Sequence, residues 1–307
     1  MNLSKVMLAL VSRYLMFSPI QYFKWRAFRL GLELLDRQEG FVEARMTSGE
    51  RFKVLARDYA GGRVALTGQW EPAVTAMMRH LLREGDVFVD IGANFGYFSI
   101  AAAGWVGRKG KVISFECAPR ALELLRANVA SNCCEETVEI FACGLGDISG
   151  NLKFYQSRLD TGWSSLDPLP DSDEICVPIC RFDTLQDLPS NIRLIKIDVE
   201  GGESRVLQGM HGFFSRGLRP IVIAEMTPRF ADRGGASVSE SFSYLSQFGY
   251  SAFVIPRLKA EYGPNPRKGF MLKRVEASDI EQAGNQEDII FVCRNAHGEM
   301  SAEISYL

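Results

Sequence analysis

Nowhere in this sequence does an apolar run approach the ~20 residues needed to cross a membrane. The N-terminal run from Val6 to Val11 stops at Ser12 and Arg13. No small-residue cleavage site follows it, so it also makes a poor secretory signal, and a cytoplasmic setting is expected. A surplus of charge of one sign is lacking too. The 35 Lys or Arg face 37 Asp or Glu, for a formal net charge of −2, which provides no general attraction to a polyanion and argues against nucleic acid as partner. Paired zinc-type cysteines are missing. The seven cysteines are an odd number without Cys-x-x-Cys spacing, which leaves unpaired thiols in a reducing compartment as the expectation. Internal repeats and low-complexity tracts are absent as well, which excludes solenoids and disordered linkers.

What is present is a core. Of 307 residues, 47% are hydrophobic and 23% charged, enough for one large domain or two small ones. Charge is uneven along the chain: residues 1–85 hold 13 basic and 8 acidic side chains, and residues 86–307 hold 22 and 29. The first 32 residues contain five basic side chains, no acidic one, and the aromatics Tyr14, Phe17, Tyr22, Phe23, Trp25 and Phe28. Such a segment suits either peripheral contact with anionic lipid or an amphipathic helix packed on the body of the protein. Ordinary burial favours the helix.

From about residue 72, short β-branched or aromatic runs alternate with amphipathic stretches. Val87–Ile91, Lys111–Glu116, Val138–Ala142, Leu194–Asp198 and Ile221–Glu225 read as buried strands. Phe98–Val106, Ala118–Ser131 and Glu203–Phe214 read as helices, the last a single one with His211 in its middle. Repeated strand–helix–strand units imply right-handed crossovers and a parallel sheet. Tyr250–Ile255 and Asp288–Cys293 read as closing strands, joined by a Gly/Pro-rich segment (Gly263–Pro266) without helical pattern, which suits an antiparallel ending. A seven-stranded, mostly parallel sheet with helices on both faces and an antiparallel last strand is expected. Ahead of it, residues 1–70 form a cap containing a hairpin over Phe41–Ala56, and Glu71–Leu82 forms a helix with Pro72 in its first turn. The main domain is expected to span 71–298 with a β-rich insertion over 144–181, leaving 299–307 as a tail.

Asp90-Ile-Gly-Ala-Asn-Phe-Gly96 follows the first strand and opens a helix. Its glycines permit a sharp turn and close approach of a ligand. The spacing is Gly-x-x-x-Gly, and the strand ends on a carboxylate where a dinucleotide would place its pyrophosphate. A carboxylate opposes a phosphate and suits a cation, and S-adenosylmethionine carries a sulfonium and an α-ammonium. Glu116 ends the second strand, where an acidic side chain accepts ribose hydroxyls in such folds.

Asp90-Ile-Gly-Ala-Asn-Phe-Gly-Tyr-Phe-Ser99, then Phe115-Glu116 with Pro119, then Ile195-Lys-Ile-Asp-Val-Glu-Gly-Gly-Glu203 together resemble the FkbM family of S-adenosylmethionine-dependent methyltransferases, over about residues 70–293. The resemblance implies the class I methyltransferase fold and methyl transfer, usually to a hydroxyl oxygen of a sugar or polyketide-like molecule. It also implies cofactor binding by Asp90, Gly92, Asn94, Gly96 and Glu116. Ala93 and Tyr97 in the same turn complete the expected set with Asp147, which follows the third strand and can accept from an adenine amino group. The chain departs from the family pattern at Cys117, where proline is usual, and at Gly202, where alanine is common.

Lys196, Asp198 and Glu200 alternate with apolar residues, which places them on one side of a central strand and its exit. A lysine buried there needs a partner, and Asp198 is the nearest. The carboxyl ends of parallel strands are where ligands bind, so Asp198 is expected to take the proton of a hydroxyl acceptor. Glu200 is its substitute, and Lys196 holds the carboxylate or the acceptor. Glu203 suits the first turn of a helix. Glu225 with Asp198 offers oxygen ligands for a divalent ion, although no metal is expected. Trp70-Glu71 and Trp163-Ser-Ser165 are candidate acceptor-site or lid residues.

Two rival readings remain. A nicotinamide-dependent oxidoreductase predicts Gly-x-Gly-x-x-Gly and no carboxylate at position 90. A protein that binds cofactor without chemistry has no need of Lys196, Asp198 and Glu200 together.

Overall fold

Buried apolar runs and their helical crossovers assemble as the alternation demands, in a computed structural model that describes residues 3–18, 23–158, 162, 168, 171–228, 237–256 and 272–293. Trp163–Ser165, Gly263–Pro266 and the expected tail lie outside the described residues. The chain opens with α1 (Leu3–Phe17) and α2 (Lys24–Asp36), then the hairpin β1 (Phe41–Arg45) and β2 (Arg51–Leu55), paired in register from Phe41↔Leu55 to Arg45↔Arg51. Next come α3 (Tyr59–Thr67) and α4 (Pro72–Leu81). Asp58 caps α3 by accepting from the Gly61 N–H at 2.8 Å, which offsets one orphan donor. Leu15, Phe28, Leu35 and Leu66 close a small apolar cluster between α1, α2 and α3. Lys24 is 1% exposed because its Nζ donates to the Leu15 carbonyl at 3.0 Å near the end of α1.

The main sheet begins with β3 (Val87–Ile91), followed by α5 (Tyr97–Val106), β4 (Lys111–Phe115), α6 (Pro119–Ser131) and β5 (Val138–Phe141). A separate three-stranded sheet then forms from β6 (Gly144–Leu145), β7 (Gly150–Ser157) and β8 (Ser172–Cys180), in the order β6-β8-β7. The main sheet resumes with β9 (Ile192–Ile197), α7 (Glu203–Gly209), α8 (His211–Ser215), β10 (Ile221–Met226), α9 (Val238–Gln247), β11 (Tyr250–Val254), β12 (Lys273–Arg274), α10 (Ala277–Ala283) and β13 (Glu287–Cys293).

Its order is β12-β11-β13-β10-β9-β3-β4-β5. The five strands from β5 to β10 pair in parallel, and β13 runs antiparallel to both β10 and β11. The expected architecture is present, with β13 as the antiparallel last strand. The count differs: eight strands rather than seven, because Lys273 and Arg274 add a two-residue edge strand, β12, to β11. Two exposed cations carry no strand pattern, so neighbouring backbone alone recruits them. The seven-residue α10 before β13 was likewise not expected; its N-terminus is held by reciprocal bonds between Glu276 and Asp279.

The single helix expected over Glu203–Phe214 is two helices. Gly209 packs where an added Cβ would stand 2.0 Å from the Gly146 carbonyl. The Asp183 carboxylate, from a distant segment, accepts from the N–H groups of Gly212 (2.6 Å) and Phe213 (2.8 Å). It thus starts α8 afresh and places His211 at its first residue instead of mid-helix.

Along β3, Phe88 joins one core layer while Val87, Val89 and Ile91 join the other. This is the period of two expected of a strand covered on both faces. Each fully buried side chain of this size contributes about 1.5–3 kcal/mol. Chain order reverses at β3, which lies between β4 and β9. That reversal opens a crevice at the carboxyl ends of the strands.

Candidate active site

A cavity of about 410 Å³ lies in that crevice. The turn after β3 builds one wall. The N–H groups of Gly92 and Ala93 both donate to the Phe115 carbonyl at 3.0 Å, which clamps the turn to the end of β4. Gly92 has φ 82°, and a Cβ there would stand 1.8 Å from the Asp198 carbonyl, so no other residue lets the two loops approach. Asn94, at φ 50°, donates its N–H to Glu116 Oε2 at 2.8 Å, and Ala118 donates its N–H to Glu116 Oε1 at 2.8 Å. Burial pushes the Glu116 carboxyl up, against the pull of these N–H groups. Asn94 Oδ1 is buried with no hydrogen-bond partner among the described residues.

Lys196, Asp198 and Glu200 form the facing wall. The strand register sets Lys196 beside Asp90. Lys196 is 3% exposed; its Nζ donates to Asp198 Oδ2 at 2.6 Å, lies 4.0 Å from Glu71 Oε2 and stands 4.5 Å over the Phe98 ring. Burial alone depresses an ammonium, yet the attraction of Asp198, Glu71 and Asp90 outweighs it and holds Lys196 above its ordinary value. Lys196 is therefore a permanent cation here. Carboxylate oxygens of Glu71, Asp198 and Glu225 all lie within 4.8 Å of one another. Burial drives Glu71 and Glu225 well above the usual carboxylate range; Lys196 opposes this at Glu71, and Asp198 reinforces it at Glu225.

Behind this wall, Glu203 at the start of α7 is 7% exposed, and its Oε1 accepts from Gly201 N–H at 3.1 Å and Val199 N–H at 3.4 Å. Burial raises its carboxyl to about 7. It ties down a loop whose Glu200 (φ 54°) and Gly201 (φ 98°) both have left-handed backbone.

The expected site residues separate into two groups. Gly92, Ala93, Asn94, Tyr97, Glu116, Lys196, Asp198 and Glu200 line the cavity. Asp90, Gly96 and Asp147 are not among its walls. Asp90 is 1% exposed and accepts from Ser99 Oγ at 2.5 Å, with Ser114 Oγ 2.8 Å beyond, and burial lifts its carboxyl to about 6. Gly96, at φ 92°, gives room to Leu125, whose Cδ1 would stand 2.6 Å from a Cβ. Trp70, Glu71 and Cys117 line the cavity, as do Tyr59 and Phe154, which sequence patterns did not single out. Tyr59 opens α3, whose Gly61 and Gly62 blur any helical period. Phe154 comes from β7 of the second sheet, and nothing in its local sequence says that this strand overhangs the crevice.

The Methyltransferase FkbM domain model matches residues 90–252, more than half of the chain. The chain belongs to the FkbM methyltransferase family. Among solved structures, this FkbM methyltransferase is similar to three proteins at low identity. A precorrin-6y C5,15-methyltransferase of Geobacter metallireducens is 17% identical, with TM-score 0.39, over 72% of this chain and 86% of that one. The M. jannaschii TYW2 in complex with AdoMet is 13% identical, with TM-score 0.41, over 83% and 86%. An S-adenosylmethionine-dependent O-methyltransferase of Thermotoga maritima is 14% identical, with TM-score 0.39, over 86% and 82%. No curated protein sequence matches this chain.

The family makes the chain an S-adenosylmethionine-dependent methyltransferase, and the walls fit that cofactor. The walls carry five acidic side chains (Glu71, Glu116, Asp198, Glu200, Glu225) and a single ammonium, that of Lys196, a lining that offers a diphosphate little and suits a cation. Glu116 is fixed by backbone N–H groups with lone pairs left for a ribose diol. The buried Asn94 Oδ1 needs a donor that the described residues do not supply.

Proposed function

We propose that this FkbM methyltransferase methylates a hydroxyl oxygen of a small molecule or glycan, with Asp198 as the general base. The observation that carries the reading is the 2.6 Å contact of Lys196 Nζ with Asp198 Oδ2 at the cavity wall. It aims a carboxylate into the crevice and fixes its position. When bound, S-adenosylmethionine supplies an electrophilic methyl group on a positively charged sulfur.

The chain's own residues do the rest. Glu116 receives the ribose hydroxyls, and the glycine-lined turn at Gly92 lets the cofactor lie against the backbone. Lys196 keeps the Asp198 carboxylate from rotating, so the acceptor O–H donates to it in a defined direction. As the new carbon–oxygen bond forms, that proton passes to Asp198 and then to solvent. Orientation supplies most of the acceleration in an in-line displacement, and the proton transfer adds about 10²–10⁴-fold. Glu200, on the same wall, is the substitute base.

The test is methyl uptake by hydroxylated sugars and their amine analogues, comparing the unaltered chain with Asp198→Asn. The expected result is uptake on hydroxyl acceptors that falls ~10²-fold or more in the variant, with cofactor affinity by calorimetry changed little. Full turnover by Asp198→Asn would remove the base assignment. Uptake on amines alone would overturn oxygen as the acceptor.

A further inference from the structure

α1 is apolar nearly all round, yet among the described residues only one side of it is packed against the cluster. Leu15 is buried, with Leu8 and Val11 packed against the same small cluster. The opposite stripe, Met7 (37% exposed), Leu10 (63%) and Phe17 (70%), faces outward; these residues lie three to four, or two turns, apart on one helix face. On α2, Trp25 (52%) and Leu30 (39%) are also exposed. An outward helix face is ordinarily polar, and clustered exposed apolar side chains of this size mark a contact surface.

We propose that the outer face of α1 and α2 docks on an anionic membrane surface. Charge selects the occupant. Arg13, Arg26 and Arg29 are exposed on the same two helices and outnumber the exposed acidic side chains there, Glu33 and Asp36 near the end of α2, and the first 32 residues hold no acidic side chain. The Arg29 guanidinium stands 5.0 Å over the Trp25 ring, an aromatic and a cation side by side as interfacial helices carry them. A second copy of the chain, meeting this face through a two-fold axis, would set arginines against arginines. At 15 residues α1 is too short to span and lies in the interface plane, and no described helix is long and apolar enough to cross. The inner side of α2 also reaches toward the cavity. Tyr59 lines the cavity and accepts from Arg63 Nη1 at 3.5 Å, and that guanidinium stands 5.7 Å over Phe28 of α2. Docking would bring an acceptor carried at the lipid surface close to the site.

The test is co-sedimentation of the full chain with vesicles of phosphatidylcholine alone and of phosphatidylcholine with ~30% phosphatidylserine. Pelleting is expected with the anionic vesicles only, and raising the salt should release the protein. A triple variant (Arg13→Glu, Arg26→Glu, Arg29→Glu) should bind at least about fivefold more weakly per charge replaced. A second triple variant (Leu10→Ser, Phe17→Ser, Trp25→Ser) should fail to pellet. Both should keep the parent's thermal unfolding and its calorimetric binding of S-adenosylmethionine, because none of these side chains lines the cavity. Failure to pellet with anionic vesicles, or equal binding to neutral ones, overturns the proposal. So does self-association without lipid binding that the serine variant abolishes.

Discussion

At the scale of single residues, the site depends on one buried cation. Lys196 offsets Asp198, Glu71 and Asp90 at once, so its removal leaves several buried carboxylates uncompensated. Lys196→Met is expected to cost about 3–5 kcal/mol at pH 7. Without the ammonium, the folded-state values of Glu71 and Asp90 rise further. The penalty is then full above those values and shrinks as pH falls and the groups take up protons. Urea unfolding at pH 7 and pH 5 checks this, with a smaller difference from the parent at the lower pH. Alternation placed Lys196, Asp198 and Glu200 together from sequence alone, and the structure sets all three in one wall. The same sequence logic placed Asp90 against the ligand. In the folded chain Ser99, itself bonded to Ser114, claims its carboxylate from behind, and no local pattern announces a partner nine residues on.

At the scale of elements, Glu203 couples α7 to the loop that carries Asp198 and Glu200. Its carboxyl is raised from 4.5 to about 7, so the folded state holds a proton that the unfolded chain has released. Its stabilising contribution is therefore whole below pH 4.5 and is lost as pH rises through about 7, a change of about 3 kcal/mol. Glu203→Gln should flatten the fall of unfolding free energy between pH 4.5 and 7, read from urea titrations across that range. An unchanged slope would exclude Glu203 as its source. Helix existence was legible in the 3.6-residue pattern of α6, where Leu125 and Val129 recur on the buried face. The break between α7 and α8 was not, because it depends on the Gly146 carbonyl and the Asp183 carboxylate, both supplied from elsewhere in the chain.

At the scale of the whole molecule, two large apolar layers sandwich the sheet, and a third, much smaller cluster holds α1 and α2. The small cluster has little to lose before it opens. Phe28, 4% exposed, is central to it, and Phe28→Ala removes about 3–5 kcal/mol of packing. Hydrogen exchange of this variant should show lost protection over α1 and α2 with β3 and β9 unchanged. Loss of protection across the sheet would mean that the three clusters unfold as one.

The order of strands and crossovers, the glycine turn after β3 and the carboxylate ending β4 were determined by the sequence itself, because each rests on local periodicity or on a backbone conformation that one residue type prefers. Which acidic groups face the cavity, which are sealed behind it, and which remote residues from α3 and β7 complete its walls were decided only by tertiary structure. Burial and charge compensation are properties of what surrounds a side chain in space, and the chain brings those surroundings together from positions far apart along its length.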